Sequence, residues 1–291
     1  MSVPIEFRVL HEFRVAGLQR SGNHAILNWL MAQCLGNAIL FNDIKSESDP
    51  FYSMEEYLEF RAGRKRKQIN FWQEEHLRPK RMADLRLYLE SEFPVIENMI
   101  CSFEDLPLTR VARSQNLRSG SMEGCSEGVV TDLLVIRDPF NLFASRYKIW
   151  NSLSGIKDKK TLIEIWKEYA REALGVTSTL NERKVVVNFN NWFSSVSYRE
   201  RLSQKLGLEF SDRGLNDISS VGVNSSFDGV VYQGRAQEMR VLERWKHFEN
   251  DESFRQFFQD PELLTLSDEL FGEITGTPEW LGRSIPSHAK R

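Results

Sequence analysis

The chain has 291 residues, of which 41% are hydrophobic and 27% are charged, and its formal net charge at pH 7 is −3. This length and apolar content suffice for one large α/β domain with a substantial core. A net charge so close to zero gives no overall reason to expect binding to nucleic acid or to an anionic membrane. The three cysteines, Cys34, Cys101 and Cys125, lack metal-binding spacing, so we expect thiols in a reducing compartment.

The N-terminal segment MSVPIEFRVLHEFRV carries charges throughout and has no apolar core typical of a signal peptide. The longest apolar stretch, around residues 25–35, is shorter than the roughly 18 residues that a membrane span requires. We find neither an internal repeat nor a low-complexity linker. The sequence therefore predicts one cytoplasmic domain over residues 1–291, without a membrane span.

The first informative stretch, Phe13–Cys34, has the pattern of a strand, a glycine-bearing loop and a helix. Such a turn directs backbone N–H groups at an anion, and the helix N-terminus adds roughly half a positive charge. Gly17 and Gly22 permit close approach that a Cβ would obstruct. Arg20, between them, offers a planar fork of donors to phosphate or sulfate oxygens.

The glycine spacing from Gly17 to Gly22 is that of the Walker A loop, G-x-x-x-x-G-K-[ST]. Asn23 and His24 stand where that loop has its Lys and its Ser or Thr. The lysine for the β- and γ-phosphates and the hydroxyl for magnesium are therefore absent. The loop favours an anion that is bound without a metal ion.

A second phosphate-binding pattern lies in Asp132–Trp150. Leu133–Ile136 is a continuous apolar run typical of a buried parallel strand. Arg137 stands at its end, Asp-Pro follows, and helical spacing resumes, with Ser145 two turns into the helix. Because ligands of open α/β sheets gather at the carboxyl ends of strands, we expect Arg137 at the same edge as the glycine loop.

Together, GLQRSGNHA and VIRDPFNLFASRY resemble the two nucleotide-binding motifs of the 3′-phosphoadenylyl-sulfate (PAPS) dependent sulfotransferases. The first is similar to their 5′-phosphosulfate loop at Arg20, Ser21 and Gly22, although His24 departs from the usual Thr. The second has the Arg and Ser of their 3′-phosphate motif. The resemblance implies PAPS as the donor, no metal, and a P-loop-like three-layer α/β fold with a central parallel sheet flanked by helices. It also implies these cofactor-binding residues: Gly17, Arg20, Ser21, Gly22, Asn23, His24, Arg137 and Ser145.

Residues 51–93 follow the first strand–loop–helix unit and are rich in charged and aromatic residues. FYSMEEYLEF and INFWQEEHLRP favour helices, so we expect a helical insertion over about 51–93. Eight basic residues lie between positions 61 and 81. A solvated helical face is the preferred interpretation, and a lid or groove that attracts an anionic acceptor is the alternative.

The stretch PVIENMICSFED, residues 94–105, predicts another strand with carboxylates at and near its end. SFEDLPL resembles the family's Lys-x-His-Leu-Pro pattern, with Asp105 at the position of the catalytic His and Phe103 at that of the Lys. A carboxylate at a strand end can remove the acceptor's proton. Our candidates for the base are Asp105 and Glu104, then Glu97; the alternative is that these acids cap the next turn. Arg20, or else His24, is left to stabilise the departing phosphate.

The later part of the chain predicts a strand over 184–189 and helices over 161–174, 198–206 and 261–270. Asn190 stands where the family has a residue near adenine, and Ser225–Phe227 resembles its adenine-contacting Thr-Ser-Phe. RWKHF, residues 244–248, resembles a late Asp-Trp-Lys-x-x-Phe element. For the late arginine that completes the 3′-phosphate site we favour Arg235, beside a glycine, over Arg240. The alternative is an exposed loop arginine.

The function implied by the resemblance is in-line transfer of a sulfuryl group from PAPS to a hydroxyl acceptor. We expect a sugar hydroxyl, while a small alcohol or phenol is not excluded by the sequence. Two other classes are weighed against this interpretation: a P-loop small-molecule kinase or NTPase, and a non-catalytic protein that binds nucleotide or polyanion through residues 61–81. The sequence indicates neither the acceptor nor the oligomeric state.

Overall fold

The computed structural model describes residues 8–45, 57–62, 65–70, 95–114, 128–149, 158–218 and 225–282. In these ranges seven strands form one sheet in the order β4-β3-β2-β5-β1-β6-β7. Strands β2, β5, β1, β6 and β7 are parallel, and β3 and β4 add an antiparallel hairpin at one edge. The strand bounds are β1 Arg8–Gly17, β2 Ala38–Phe41, β3 Tyr57–Ala62, β4 Lys65–Asn70, β5 Val95–Glu104, β6 Val129–Ile136 and β7 Val185–Asn188.

Helices cover both faces of the parallel strands. Their bounds are α1 Asn23–Gln33, α2 Leu108–Arg113, α3 Pro139–Lys148, α4 Lys159–Ala173, α5 Phe189–Ser194, α6 Val196–Leu206, α7 Glu252–Arg255, α8 Pro261–Phe271 and α9 Thr277–Trp280. One core joins α1, α5 and α6 to the sheet, and the other joins α3, α4 and α8 to its opposite face. The three-layer α/β class predicted from the sequence is confirmed.

Local signals account for the ends of several helices. Asp138 caps α3 because its carboxylate accepts from the backbone N–H of Asn141 at 2.8 Å, and Pro139 occupies the first turn. Gly207 ends α6 in the left-handed region, with φ of 69°. The predicted strand over 184–189 ends one residue earlier, since Asn188 caps α5. Among the described residues, no helix has the length and apolar character needed to cross a membrane.

The prediction of helices between residues 51 and 93 is wrong for 57–62 and 65–70, which form the β3–β4 hairpin. The rest of that range lies outside the described residues. Strand β3 pairs antiparallel with β2, so backbone hydrogen bonds to the edge of the sheet override the local helical preference. Strand β4, KRKQIN, is rich in Lys and Arg, which is typical of an edge strand.

The C-terminal part of the chain packs on α3. Phe258 stacks on Phe140 with ring centroids 4.5 Å apart. The side-chain nitrogen of Asn141 donates to the carbonyl of Leu242 at 3.0 Å, and its oxygen accepts from the N–H of Trp245 at 3.4 Å. These contacts place the short 3₁₀ helix Arg244–Phe248 beside the helix that carries Ser145.

Candidate functional site at the carboxyl edge of the sheet

The loop between β1 and α1 is shaped by two glycines. A Cβ added at Gly17 would lie 2.1 Å from Oδ1 of Asn23. Gly22 has a φ of 92°, and a Cβ there would lie 2.1 Å from the Phe189 ring. The N–H of Ser21 donates to the carbonyl of Leu18 at 3.0 Å and closes the turn. Both glycines are therefore required by close packing within the protein.

Asn23 turns back into the loop. Its Nδ2 donates to the carbonyl of Leu18 at 3.1 Å and to Oε1 of Glu104 at 2.7 Å, and the residue is buried. Its side-chain nitrogen thus joins the loop to the end of β5, and the nucleotide contact that the sequence predicts for Asn23 stays a prediction.

Backbone strain is concentrated at this edge of the sheet. Three non-glycine residues among those described have positive φ: Arg20 at 73°, Asp43 at 58° and Asp105 at 56°. They follow β1, β2 and β5, which are neighbours in the sheet. Such conformations persist where surrounding contacts impose them, and they cluster at functional sites.

Arg137 at the end of β6 contacts the glycine loop directly. Its Nη1 donates to the carbonyl of Arg20 at 2.9 Å, and its Nη2 donates to the carbonyl of Val241. The guanidinium carbon lies 5.0 Å from the centre of the Phe189 ring, and the residue is buried. The two arginines expected to hold the two ends of one nucleotide thus lie at neighbouring strand ends.

Arg244, which was not predicted from the sequence as a site residue, completes a cluster around Ser145. Nη1 of Arg244 donates to the Ser145 hydroxyl at 3.0 Å, and Nη1 of Arg137 lies 3.4 Å from the same oxygen. Nη2 of Arg244 reaches the Ser225 hydroxyl at 2.8 Å and a carboxylate oxygen of Asp228 at 3.3 Å. Two buried guanidiniums therefore converge on one hydroxyl group.

The electrostatics of this cluster favour an anion. Burial lowers the pKa of Arg137 to about 9, and the positive charges of Arg244 and Arg20 contribute to the shift. Burial also lowers the pKa of Arg244, against the opposing effect of Asp228. Nε of Arg137 is buried and has no hydrogen-bond partner among the described residues. A phosphate group placed here would offset the repulsion among these arginines and would accept a hydrogen bond from Nε of Arg137.

Arg235 and Arg240, the late arginines considered from the sequence, have other surroundings. Arg235 is exposed and pairs with Glu238 at 3.1 Å. The side chain of Arg240 is 89% exposed and lies 3.8 Å from Glu243. Arg244, rather than Arg235, is the late arginine that contacts Ser145 among the described residues. The sequence signal for Arg244 was its place in RWKHF, residues 244–248, beside the buried Trp245.

The three candidate bases are separated by the sheet. Glu104 ends β5 on the α1 side, beside Asn23, whereas Asp105 faces α3 and accepts from Arg146. Glu97 lies seven residues before Glu104 on the same strand, so at about 3.3 Å per residue it is roughly 23 Å away. Glu97 therefore lies toward the opposite edge of the sheet, away from the glycine loop.

Lys45 lies close to both Glu104 and Asp105. Nζ of Lys45 pairs with Asp43 and lies 3.4 Å from the Glu104 carbonyl. Burial acts to lower the pKa of Lys45, but Asp43, Glu104 and Asp105 outweigh it and raise that pKa. Lys45 is therefore firmly protonated and places a positive charge near both carboxylates.

His24, the second residue of α1, lies in the electric field of Arg20 and Glu104. Burial lowers its pKa from the ordinary value of 6.5, Glu104 opposes this shift, and Arg20 reinforces it. The imidazole is therefore neutral at pH 7. A neutral His24 can donate or accept a hydrogen bond, but it does not supply the positive charge of the missing lysine.

Asn190 and Phe227 border the arginine cluster. Oδ1 of Asn190 accepts from the N–H of Asp138 at 3.5 Å. The Phe227 ring lies 5.2 Å from the guanidinium carbon of Arg244 and 4.8 Å from the His247 ring. Phe227 thus lies against the Arg244 side of the cluster. Among the described residues, no group of three or more His, Cys, Asp or Glu side chains has a metal-binding arrangement.

Comparison with known proteins adds two structural similarities. No family model and no curated protein matches the chain. It is similar to the sulfotransferase domain from the curacin biosynthetic pathway, with 13% identity, a TM-score of 0.43, and coverage of 96% of this chain and 100% of that one. It is also similar to mouse sulfotransferase SULT7A1 complexed with PAP, with 9% identity, a TM-score of 0.45, and 89% coverage of both chains. Similarity of this degree carries no argument about activity, so the function is inferred from the geometry of the site.

Proposed function

We propose that the chain is a PAPS-dependent sulfotransferase that moves a sulfuryl group to a hydroxyl acceptor. The observation that supports this most strongly is the convergence of Arg137 and Arg244 on Ser145. A second anion site, the glycine loop, lies next to it through the contact of Arg137 with Arg20. Two anion sites at neighbouring strand ends suit a nucleotide that carries phosphate on both its 3′ and 5′ positions.

In the proposed reaction, the acceptor oxygen attacks the sulfur of PAPS as the bond from sulfur to the 5′-phosphate oxygen breaks. The acceptor's proton passes to a carboxylate, and the negative charge develops on the departing phosphate. Arg20 and the loop N–H groups stabilise that charge, and Arg137, Ser145 and Arg244 hold the 3′-phosphate. Catalysis then consists of positioning and charge stabilisation, as in phosphoryl transfer.

Glu104 is our preferred base. Asp105 accepts two hydrogen bonds from Arg146 and one from the loop, which commits both of its oxygens. Glu104 lies on the other side of the sheet, at the edge shared by Lys45 and His24. The sugar acceptor and the cytoplasmic location are proposed on the sequence alone.

The deciding experiment measures thermal stabilisation by adenosine 3′,5′-bisphosphate (PAP), by Mg-ATP and by an oligonucleotide. A ligand at about 100 times its Kd adds roughly 2.7 kcal/mol, which raises the Tm by several degrees. We expect PAP alone to give this shift without a metal ion, and 5′-AMP to give less because it lacks the 3′-phosphate. Stabilisation by Mg-ATP but not by PAP would favour a kinase or NTPase instead. A response to the oligonucleotide alone would favour a polyanion-binding protein.

A further inference from the structure

Asp105 and Arg146 form a buried pair that touches the glycine loop. Nη1 of Arg146 donates to both carboxylate oxygens of Asp105, at 2.8 and 2.9 Å, and the side chain of Arg146 is fully buried. Oδ1 of Asp105 accepts from the backbone N–H of Gln19 at 2.9 Å, and Arg146 Nη1 also reaches the Gln19 carbonyl at 3.4 Å. The pair thus binds both the backbone N–H and the backbone carbonyl of Gln19.

Backbone contacts extend this attachment on either side. The N–H of Asp105 donates to the carbonyl of Gly17 at 3.2 Å, and Arg137 holds the carbonyl of Arg20 at 2.9 Å. Asp105 itself has a φ of 56°, which an Asp tolerates better than most residues. The loop from Gly17 to Arg20 is therefore fixed at four backbone groups by side chains and backbone from β5, β6 and α3.

The attachment has a direct consequence for Arg20. That residue has a φ of 73°, an unfavourable conformation for a non-glycine residue that neighbouring contacts must maintain. Gln19 directly precedes it, and Gln19 is the residue that the pair holds. Arg146 also directly follows Ser145 on α3, so one helix contacts both anion sites.

From these contacts we propose that Asp105 and Arg146 are positioning residues that hold the glycine loop in the conformation that binds the 5′-phosphate group of the donor. This inference rests on the proposed function, and it gives Asp105 a role other than that of the base. The pair acts on the 5′ end only, since the 3′ end is held by Arg137, Ser145 and Arg244.

The test compares the affinities of PAP and of adenosine 3′-monophosphate, which differ only in the 5′-phosphate. The Kd of adenosine 3′-monophosphate divided by the Kd of PAP measures what the 5′-phosphate contributes to binding. This ratio does not depend on the acceptor or on the catalytic base. In Asp105→Asn and Arg146→Met we expect this ratio to fall at least tenfold, with the Kd of the 3′-monophosphate changed less than threefold. Because the two residues act as one unit, the double variant should lose no more than either single variant.

Asp105→Asn keeps a residue that accepts positive φ and keeps an acceptor for Gln19, so it is the variant least disturbing to folding. Arg146→Lys retains a cation beside Asp105 and should recover part of the ratio. The control is Asp212→Asn, which breaks another Arg–Asp pair, with the buried Arg199 Nε 2.7 Å from the partly exposed Asp212. We expect it to lower stability and to leave the ratio unchanged.

A ratio unchanged in both Asp105→Asn and Arg146→Met, while the wild-type chain binds PAP, would overturn the positioning role. An equal loss for both ligands would also overturn it, since that is the result of general destabilisation. If the wild-type chain bound neither ligand, the proposed function itself would fail. Amide hydrogen exchange adds a readout without nucleotide, and peptides covering residues 17–22 should exchange faster in the two variants than in Asp212→Asn.

Discussion

Arg244 lies far along the chain from Arg137, and its guanidinium contacts the same side chain, Ser145. It shares the Ser145 hydroxyl with Arg137, and its guanidinium lies over the Phe227 ring. Asp228 partly offsets the positive charge of Arg244, and a bound phosphate would offset it further. The residue therefore connects Ser145, in the proposed 3′-phosphate site, to Phe227.

Replacing Arg244 by Ala should weaken PAP binding much more than binding of adenosine 5′-phosphosulfate, which lacks the 3′-phosphate. A charged hydrogen bond is worth about 1.5–3 kcal/mol, so the Kd for PAP should rise roughly 10- to 150-fold. Calorimetric titration of both ligands measures the effect. Arg235→Ala is the control, and equal losses in the two variants would show that Arg244 has no special part in binding.

His24 provides a pH-dependent contribution to stability. Its pKa in the folded chain lies below the ordinary 6.5, because burial and Arg20 outweigh Glu104. Below about pH 6.5 the unfolded chain therefore holds more protons on this group than the folded chain, and stability falls as the pH falls. Urea unfolding at pH 7 and pH 5.5 should show a smaller loss for His24→Gln than for the wild type. Equal losses would mean that His24 is protonated in the folded chain.

At the scale of elements, the junction of β7 and α5 supports the glycine loop. Phe189 begins α5, packs against Gly22, lies beneath the guanidinium of Arg137 and stacks on Trp192 at 5.8 Å. One aromatic ring thus contacts both Gly22 of the loop and the guanidinium of Arg137. Trp192 in turn packs edge-on against Trp29 of α1.

Gly22→Ala tests this junction. The substitution combines an unfavourable φ of 92° with a Cβ placed 2.1 Å from the Phe189 ring. Gly207→Ala is the matched control, since its φ is 69° and a Cβ there meets no atom within 4 Å. Chemical denaturation should show a larger loss of stability for Gly22→Ala, with overpacking adding roughly 1–3 kcal/mol to the backbone cost. Similar losses would show that the loop moves freely away from Phe189.

Sequence patterns predicted the elements whose signals are contiguous. An apolar run, a charged residue and Asp-Pro predicted β6 and α3, and two glycines predicted the loop after β1. The β3–β4 hairpin escaped prediction because its strands are stabilised by pairing with β2, which local propensity does not include. Likewise, Asp105 and Arg146 are 41 positions apart, and Arg244 and Ser145 are 99 apart. Only the fold shows that such residues meet.

On the scale of the whole molecule, the proposed nucleotide site is assembled from three distant parts of the chain. The loop after β1, the β6–α3 unit and the segment 225–248 meet through Arg137 and Arg244. The hydrogen bonds of Asn141 with Leu242 and Trp245 hold the last of these parts against α3. Binding of one ligand should therefore slow amide exchange in all three parts of the chain.

Amide hydrogen exchange with and without PAP tests this arrangement. We expect slower exchange in peptides covering residues 17–24, 137–146 and 225–248, because a bound ligand suppresses local opening. Peptides from α8, which pairs with α4 through Glu262 and Arg171, serve as internal references. Protection confined to residues 17–24 would contradict a site that spans both anion positions.

The late position of Arg244 has a consequence for the order of events during protein synthesis. A growing chain carries the glycine loop and Arg137 well before residue 244 has been added. Until then, Ser145 lacks its contact with Arg244, and α3 lacks the segment that packs against it. Under the proposed function, the complete nucleotide site forms only after this last segment has docked on α3.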